Sequence, residues 1–213
     1  ITSAHEGLGW LGIECDVTDA EAQSAAVAAG VERFGGLDHL VVSAGRFGAT
    51  LPLAELTPDE WRATQAVNVD SVASLLHTTA GLLALSPIGG RVVVIGSKNV
   101  PAPGAGAAAY SASKAAVTQL ARVAALEWAS EGVRVNVVHP DAVFDTGLWT
   151  PELLASRAEA HGMTIEEYKR RNLLGTEVTS AQVATAVASL CSDAFGATTG
   201  ASIPIDGGNE RVI

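Results

Sequence analysis

The 213-residue sequence holds two cysteines and one methionine, and aromatic side chains fill only 5% of its positions. Cys15 and Cys191 lie far apart inside apolar segments. That leaves no basis for a disulfide framework or a thiolate metal site, and both read as buried thiols. Lysine and arginine total 13 against 23 aspartates and glutamates, for a net charge of -10. Such a surface argues against nucleic acid, whose phosphates need clustered cations. No apolar run reaches the roughly 18 residues of a membrane span. No basic, apolar leader opens the sequence, so the expected compartment is a reducing cytoplasm. No His/Cys/Asp cluster has metal-ligand spacing. Repeats, low-complexity tracts and linkers are missing too, which leaves a single domain with a sizeable core.

What is present is a steady alternation of β-rich runs and helical stretches. The strand candidates are Trp10–Cys15, His39–Ser43, Arg91–Ile95, Val133–Val138 and Ala201–Ile205. Runs such as Leu40-Val41-Val42 and Val92-Val93-Val94-Ile95 are almost continuously apolar. That pattern describes strands covered on both faces, hence a parallel sheet between helices. Helices are expected at about 19–33, 58–85, 109–130 and 180–191. Thr18-x-x-Glu21, Thr57-x-x-Glu60, Thr164-x-x-Glu167 and Thr179-x-x-Gln182 read as capping boxes, and Pro58 falls at a first helical position. The expected fold is therefore α/β, a Rossmann-type doubly wound parallel sheet in one domain. Residues 146–175 interrupt the rhythm with Trp149, Pro151, His161 and Tyr168. They read as a helical substrate lid above the strand ends, or else as a surface excursion or subunit contact.

Tyr110 and Lys114 form Tyr-x-x-x-Lys, a spacing that puts both side chains on one helix face. Alone, that pair describes a solvated helix surface equally well. Ser97, however, follows the strand Arg91–Ile95, and a loop from there can return the tyrosine over it. Asn68 sits inside an apolar helix, where an amide is poorly placed. Ser43-Ala44-Gly45 ends a buried strand with small residues that permit close approach by a ligand.

Taken in order, Asn68, Ser97 and Tyr110-Ser-Ala-Ser-Lys114 resemble the catalytic tetrad of the short-chain dehydrogenase/reductase family. Flanking segments agree. Asp16-Val17 resembles the family's adenine-contacting pair, and Val42-Ser43-Ala44-Gly45 its Asn-Asn-Ala-Gly turn. Pro140-Asp141-Ala142-Val143 stands where Pro-Gly-x-Val is usual, and Ile205-Asp206-Gly207-Gly208 resembles the closing strand and turn. The resemblance implies an oxidoreductase moving a hydride between NAD or NADP and a small alcohol or carbonyl, without a metal. It implies catalytic roles for Asn68, Ser97, Tyr110 and Lys114. It implies cofactor contacts for Asp16, Val17, Ser43, Ala44, Gly45, Tyr110, Lys114, Pro140 and Val143.

In that family reading Tyr110 is the general acid/base, and Ser97 hydrogen-bonds the substrate oxygen. Lys114 grips the nicotinamide ribose, and Asn68 helps order a relay water. A phenol titrates near 10, and bringing it to neutrality takes about 4 kcal/mol of differential stabilisation. The Lys114 ammonium and the positive nicotinamide are expected to supply it. The family also implies a homodimer or homotetramer through helices 58–85 and 109–130, whose small apolar faces suit packing on the sheet equally well.

The departures from the family pattern are also informative. No Gly-x-x-x-Gly-x-Gly loop precedes Asp16, and Gly7-Leu8-Gly9 is too short to replace it. Within the family's sheet order 3-2-1-4-5-6-7, the first strand, its helix and the second strand are missing. The resulting gap of about 9–10 Å would be lined by unpaired backbone groups. The chain, which starts at Ile1, is therefore expected to be an amino-terminally incomplete dehydrogenase domain. The residue that selects NAD or NADP lies outside it. A non-catalytic Rossmann-type sensor or scaffold is the alternative reading.

Asp141 replaces a glycine, and Lys98-Asn99-Val100-Pro101 replaces smaller residues. Together with His139–Phe144 and the ending Gly207–Ile213, these segments are similar to the carboxyl-terminal dehydrogenase part of bifunctional rhamnulose-phosphate aldolase/dehydrogenases. That similarity implies an upstream aldolase domain and lactaldehyde as the first substrate to try. Lys98 reads as a ligand for phosphate or sugar hydroxyls, or as a solvated loop lysine. His139 reads as a structural imidazole rather than a catalytic one.

Overall fold

Four runs of β-branched residues form the sheet: β1 (His39–Val42), β2 (Arg91–Ile95), β3 (Arg134–Pro140) and β4 (Ser202–Ile205). In the computed structural model, which describes residues 9–209, they pair in the order β1-β2-β3-β4, all parallel. Their side chains alternate between two cores. Val92, Val94, Val135 and Val137 pack with Leu76, Leu83, Val117 and Ala121. Val93 and Val138 pack on the opposite face with Val187 and Leu190. Because both faces of β2 and β3 are covered, their middles are mostly apolar rather than alternating, with Asn136 a buried polar exception.

The helices are α1 (Ala20–Phe34), α2 (Pro58–Gln65), α3 (Ser71–Ala84), α4 (Ala108–Trp128), α5 (Pro151–Ala160), α6 (Ile165–Lys169) and α7 (Ser180–Leu190). The expected single helix over 58–85 is broken by a π-helical turn at Ala66–Asp70, which carries Asn68. Such a turn inserts one residue into the helical register and re-aims the side chains within it. The segment 146–175 does form helices, α5 and α6. Its aromatic residues Trp149, His161 and Tyr168 gather on one another and on Phe144. Arg157 of α5 donates to Thr50 Oγ1 at 2.9 Å, tying α5 to the loop that follows β1.

Several expectations are corrected. Residues 10–15 form no strand, and Trp10, Leu11 and Ile13 are exposed. A strand needs a neighbour to take its backbone hydrogen bonds, and β1 does not serve. A cleft of about 350 Å³, lined by Cys15, Val17, Val31, Leu40 and Leu75 among others, lies beside this segment. Cys15 is consequently half-buried rather than buried, while Cys191 is buried; both are free thiols.

Two capping boxes are also revised. Thr18 does not cap α1: Asp19 does, accepting from the N–H groups of Glu21 and Ala22. Thr57 caps α2, but Glu60 does not reach back to it, because Arg46 holds its carboxylate. The boxes at Thr164 and Thr179 form completely. Among the described residues, no helix is long and apolar enough to cross a membrane. Gly7, Leu8 and the ending Glu210–Ile213 lie outside the described residues.

Candidate active site

Beyond Val42 and Val94, the last register pair of β1 and β2, the two strands part at their carboxyl ends. In doubly wound sheets such an opening is where ligands bind. Ser97 lies just past β2, and Tyr110 enters from the first turn of α4, with the Ser97 hydroxyl close enough to favour its phenolate. Phe47 packs on the tyrosine with ring centroids 4.7 Å apart. Lys114, one turn along α4, is buried. Its Nζ donates to the Ile95 carbonyl at 2.8 Å and stands 5.8 Å from the Tyr110 ring centroid.

Asn68 is buried and fully engaged. Its Oδ1 accepts from the Arg46 N–H at 2.7 Å, and its Nδ2 donates to the Arg46 carbonyl at 2.8 Å and to Ser113 Oγ at 2.9 Å. The amide thus pins the loop after β1 onto α4. At Gly45, in that loop, a Cβ would come within 3.4 Å of Lys114 Nζ and 3.6 Å of Asn68 Oδ1. A side chain there would rest in contact with both groups, so glycine keeps the backbone close to the lysine.

Of the expected cofactor contacts, Ser43, Pro140 and Val143 line one cleft of about 520 Å³, together with Ile95 and Thr146. Ala44 is exposed between Ser43 and Gly45. Asp16 and Val17 do not join them. The Asp16 carboxylate accepts from the N–H and hydroxyl of Thr18 at 2.9 and 2.8 Å, and Val17 faces the other cleft. The opening at Gly45, the donors of Lys114 and the apolar walls at Pro140 and Val143 fit the nicotinamide end of a dinucleotide. Among the described residues no glycine-rich turn serves the diphosphate.

The electrostatics differ from the expectation. Burial pushes the Tyr110 phenol up from its ordinary value, opposed by the Ser97 hydrogen bond. Burial also lowers the Lys114 ammonium to about 8. Desolvation therefore works against both charged forms, and in the free protein the lysine does not outweigh it.

Two clusters escaped the sequence reading. Arg46 is held by Glu60 at 2.7 and 2.8 Å and by Thr64 at 2.9 Å, and the Glu60 carboxyl falls to about 2 chiefly because of that bond. Nothing in the spacing of residues 46 and 60 signals the pair. Asp141 is the second centre. It takes Lys98 at 2.9 Å, Arg171 at 3.7 Å, and a hydrogen bond from Asn209. Lys98 is therefore not the solvated lysine of one reading, and the carboxylate in a glycine position was the available signal.

A parallel α/β sheet whose opened carboxyl end holds a serine, a tyrosine and a lysine defines a Rossmann-type oxidoreductase. A family profile described as enoyl-(acyl carrier protein) reductase matches residues 2–210. D-threitol dehydrogenase of Mycolicibacterium smegmatis is 34% identical over 92% of this chain and 72% of its own length. A dehydrogenase/reductase structure from Sinorhizobium meliloti 1021 superposes with a TM-score of 0.85. It is 33% identical and covers 99% of this chain and 79% of its own. The uncharacterised oxidoreductase YuxG of Bacillus subtilis is 32% identical over 93% of this chain, which spans only 29% of that protein. The chain belongs to the short-chain dehydrogenase/reductase family of NAD(P)-dependent oxidoreductases.

Proposed function

We propose that the chain is the catalytic part of an NAD(P)-dependent dehydrogenase for small hydroxylated substrates, with lactaldehyde the first to test. The observation that carries the reading is the gathering of Ser97, Tyr110 and the buried Lys114 at the carboxyl end of β2, with Lys114 Nζ 5.8 Å from the Tyr110 ring centroid and bonded to the Ile95 carbonyl. The bound nicotinamide supplies the hydride acceptor or donor. Ser43, Pro140 and Val143 hold that ring, and Ala44 and Gly45 let the ribose approach Lys114. Asp16 and Val17 are assigned to the adenine end. Ser97 fixes the substrate oxygen, and Tyr110 passes the proton to or from it. Lys114 supports the phenolate electrostatically, and Asn68 orders the relay. Residues 146–175 act as the substrate lid.

The diphosphate turn and the strands beside β1 are taken to come from polypeptide outside the described residues, a reading supported by the exposed edge of β1. The small share of YuxG that is matched suits a dehydrogenase joined to a second domain, here an aldolase. A cytoplasmic homodimer or homotetramer completes the proposal. The test uses the protein as expressed from its gene, with NAD or NADP and either lactaldehyde or four-carbon polyols. Tyr110→Phe should lower kcat/KM by about 10³-fold while cofactor affinity is kept. Unchanged turnover in that variant would refute the assigned mechanism.

A further inference from the structure

Past Val42 the β1 side of β2 is left without a strand partner. Gly96 and Lys98 still donate to the β3 carbonyls of Val138 and Pro140, at 2.8 and 3.0 Å. Alternate residues of a parallel strand address opposite neighbours. Arg91, for example, donates to Asp38 on the β1 side at 2.9 Å. By that alternation Ile95 presents its carbonyl to the side β1 has vacated, while Ser97, past the strand end, gives its own carbonyl to the Val100 N–H at 3.1 Å. Two buried side chains meet them. Lys114 Nζ takes the Ile95 carbonyl, and His139 Nδ1 accepts the Ser97 N–H at 3.0 Å.

His139 is only 5% exposed. Its ring occupies the space above Gly96, where a Cβ would overlap Nδ1 and Cε1 of the imidazole. An accepting Nδ1 requires the neutral ring with its proton on Nε2. Burial and the nearby cations Arg122 and Lys114 favour that neutral form.

We propose that His139 is a positioning residue for Ser97, holding the serine N–H just past the end of β2 so that Oγ stays turned toward Tyr110. The inference rests on the proposed role of Ser97 toward the substrate oxygen. Gly96 and Lys98 are held on β3 and the Ser97 carbonyl accepts from Val100, which leaves His139 as the acceptor for the Ser97 N–H. Ser97 Oγ itself accepts from the Asn99 N–H at 3.1 Å, so a rotated Ser97 peptide would carry the hydroxyl and the next loop with it.

The test compares His139→Leu, which removes the acceptor, with His139→Asn, whose Oδ1 can stand where Nδ1 stood. Misplacing a reacting group by a fraction of an ångström or more costs up to about 10²-fold. We expect His139→Leu to lower kcat about 30-fold at nearly constant cofactor Kd, and His139→Asn to recover to within about 3-fold of the parent. A His139→Leu enzyme with parental kcat overturns the proposal, as does an Asn variant that loses 30-fold or more. Should His139→Leu fail to fold, the Asn variant alone decides. Ser97→Ala run in parallel separates the two levels. If it keeps full activity, the role of Ser97 fails and this inference with it. If it is inactive while His139→Leu is unimpaired, only the inference about His139 fails.

Discussion

Val41 and Val93 are register partners on adjacent strands, yet Val41 is 45% exposed and Val93 is 1% exposed. Around Val93 the sheet is covered on both faces, and its edges are continued by neighbouring strands. Around Val41 the same kind of residue borders the open cleft with His39 and Ser43. The contrast extends outward. On the β2–β3 side even a polar side chain is buried and bonded: Asn136 donates to the Thr198 carbonyl and accepts from the Ala201 N–H. On the β1 side, residues 10–15 carry strand-like sequence without a ladder, and Gln23 holds the turn that follows by bonding to the carbonyls of Val17 and Ser71. An apolar run thus specifies a tendency to be covered. Whether it is covered depends on which elements stand beside it.

The comparison can be broken most decisively at Lys114. Its pKa in the folded chain is about 8 against an ordinary 10.5. Between those values the unfolded chain binds a proton that the folded chain does not, so stability should rise with pH across that window. The rise, on the order of 3 kcal/mol, should vanish in Lys114→Met when both are unfolded in urea at pH 7 and pH 10. Equal pH dependence in the two proteins would mean that the lysine is not in a dry site.

Next in size is the valine pair itself. Val93→Ala should cost about 2 kcal/mol, and Val41→Ala less than about 0.5 kcal/mol, by denaturant titration. Matching losses would show that the β1 face is covered in solution. The smallest effect is expected at the rim of the packed side. Asp141→Asn leaves Lys98 and Arg171 facing each other without their carboxylate. It should raise KM for the alcohol about 5-fold, roughly 1 kcal/mol, with kcat nearly unchanged. A fall in kcat instead would place Asp141 in the chemistry rather than in substrate binding.

Most of the architecture was legible because the physics is local. Near-continuous valine runs read correctly as β2 and β3, and Thr164 and Thr179 marked helix starts through groups only three residues apart. Trp10–Cys15 misled because its pattern is that of a strand, while a strand exists only with a partner. Thr57 and Glu60 misled for a related reason: Arg46, 14 positions upstream of Glu60, competes for the carboxylate. The π-turn around Asn68 was equally invisible, since residues 58–85 carry an uninterrupted helical pattern.

Asn68, Ser97, Tyr110 and Lys114 could be singled out from the sequence because their types and order are distinctive whatever surrounds them. The same holds for Gly45 and for the parallel α/β class, both of which follow from side-chain size and apolar periodicity. Tertiary structure decided the rest. Burial, a property of the whole packed layer, raises the Tyr110 phenol and lowers the Lys114 ammonium, opposite to what pairing alone would do. The pairing of β2 with β3 brings the Ser97 N–H to His139, a residue 42 positions away. No local pattern could announce that bond, because it joins groups that only the pairing of two distant strands brings together.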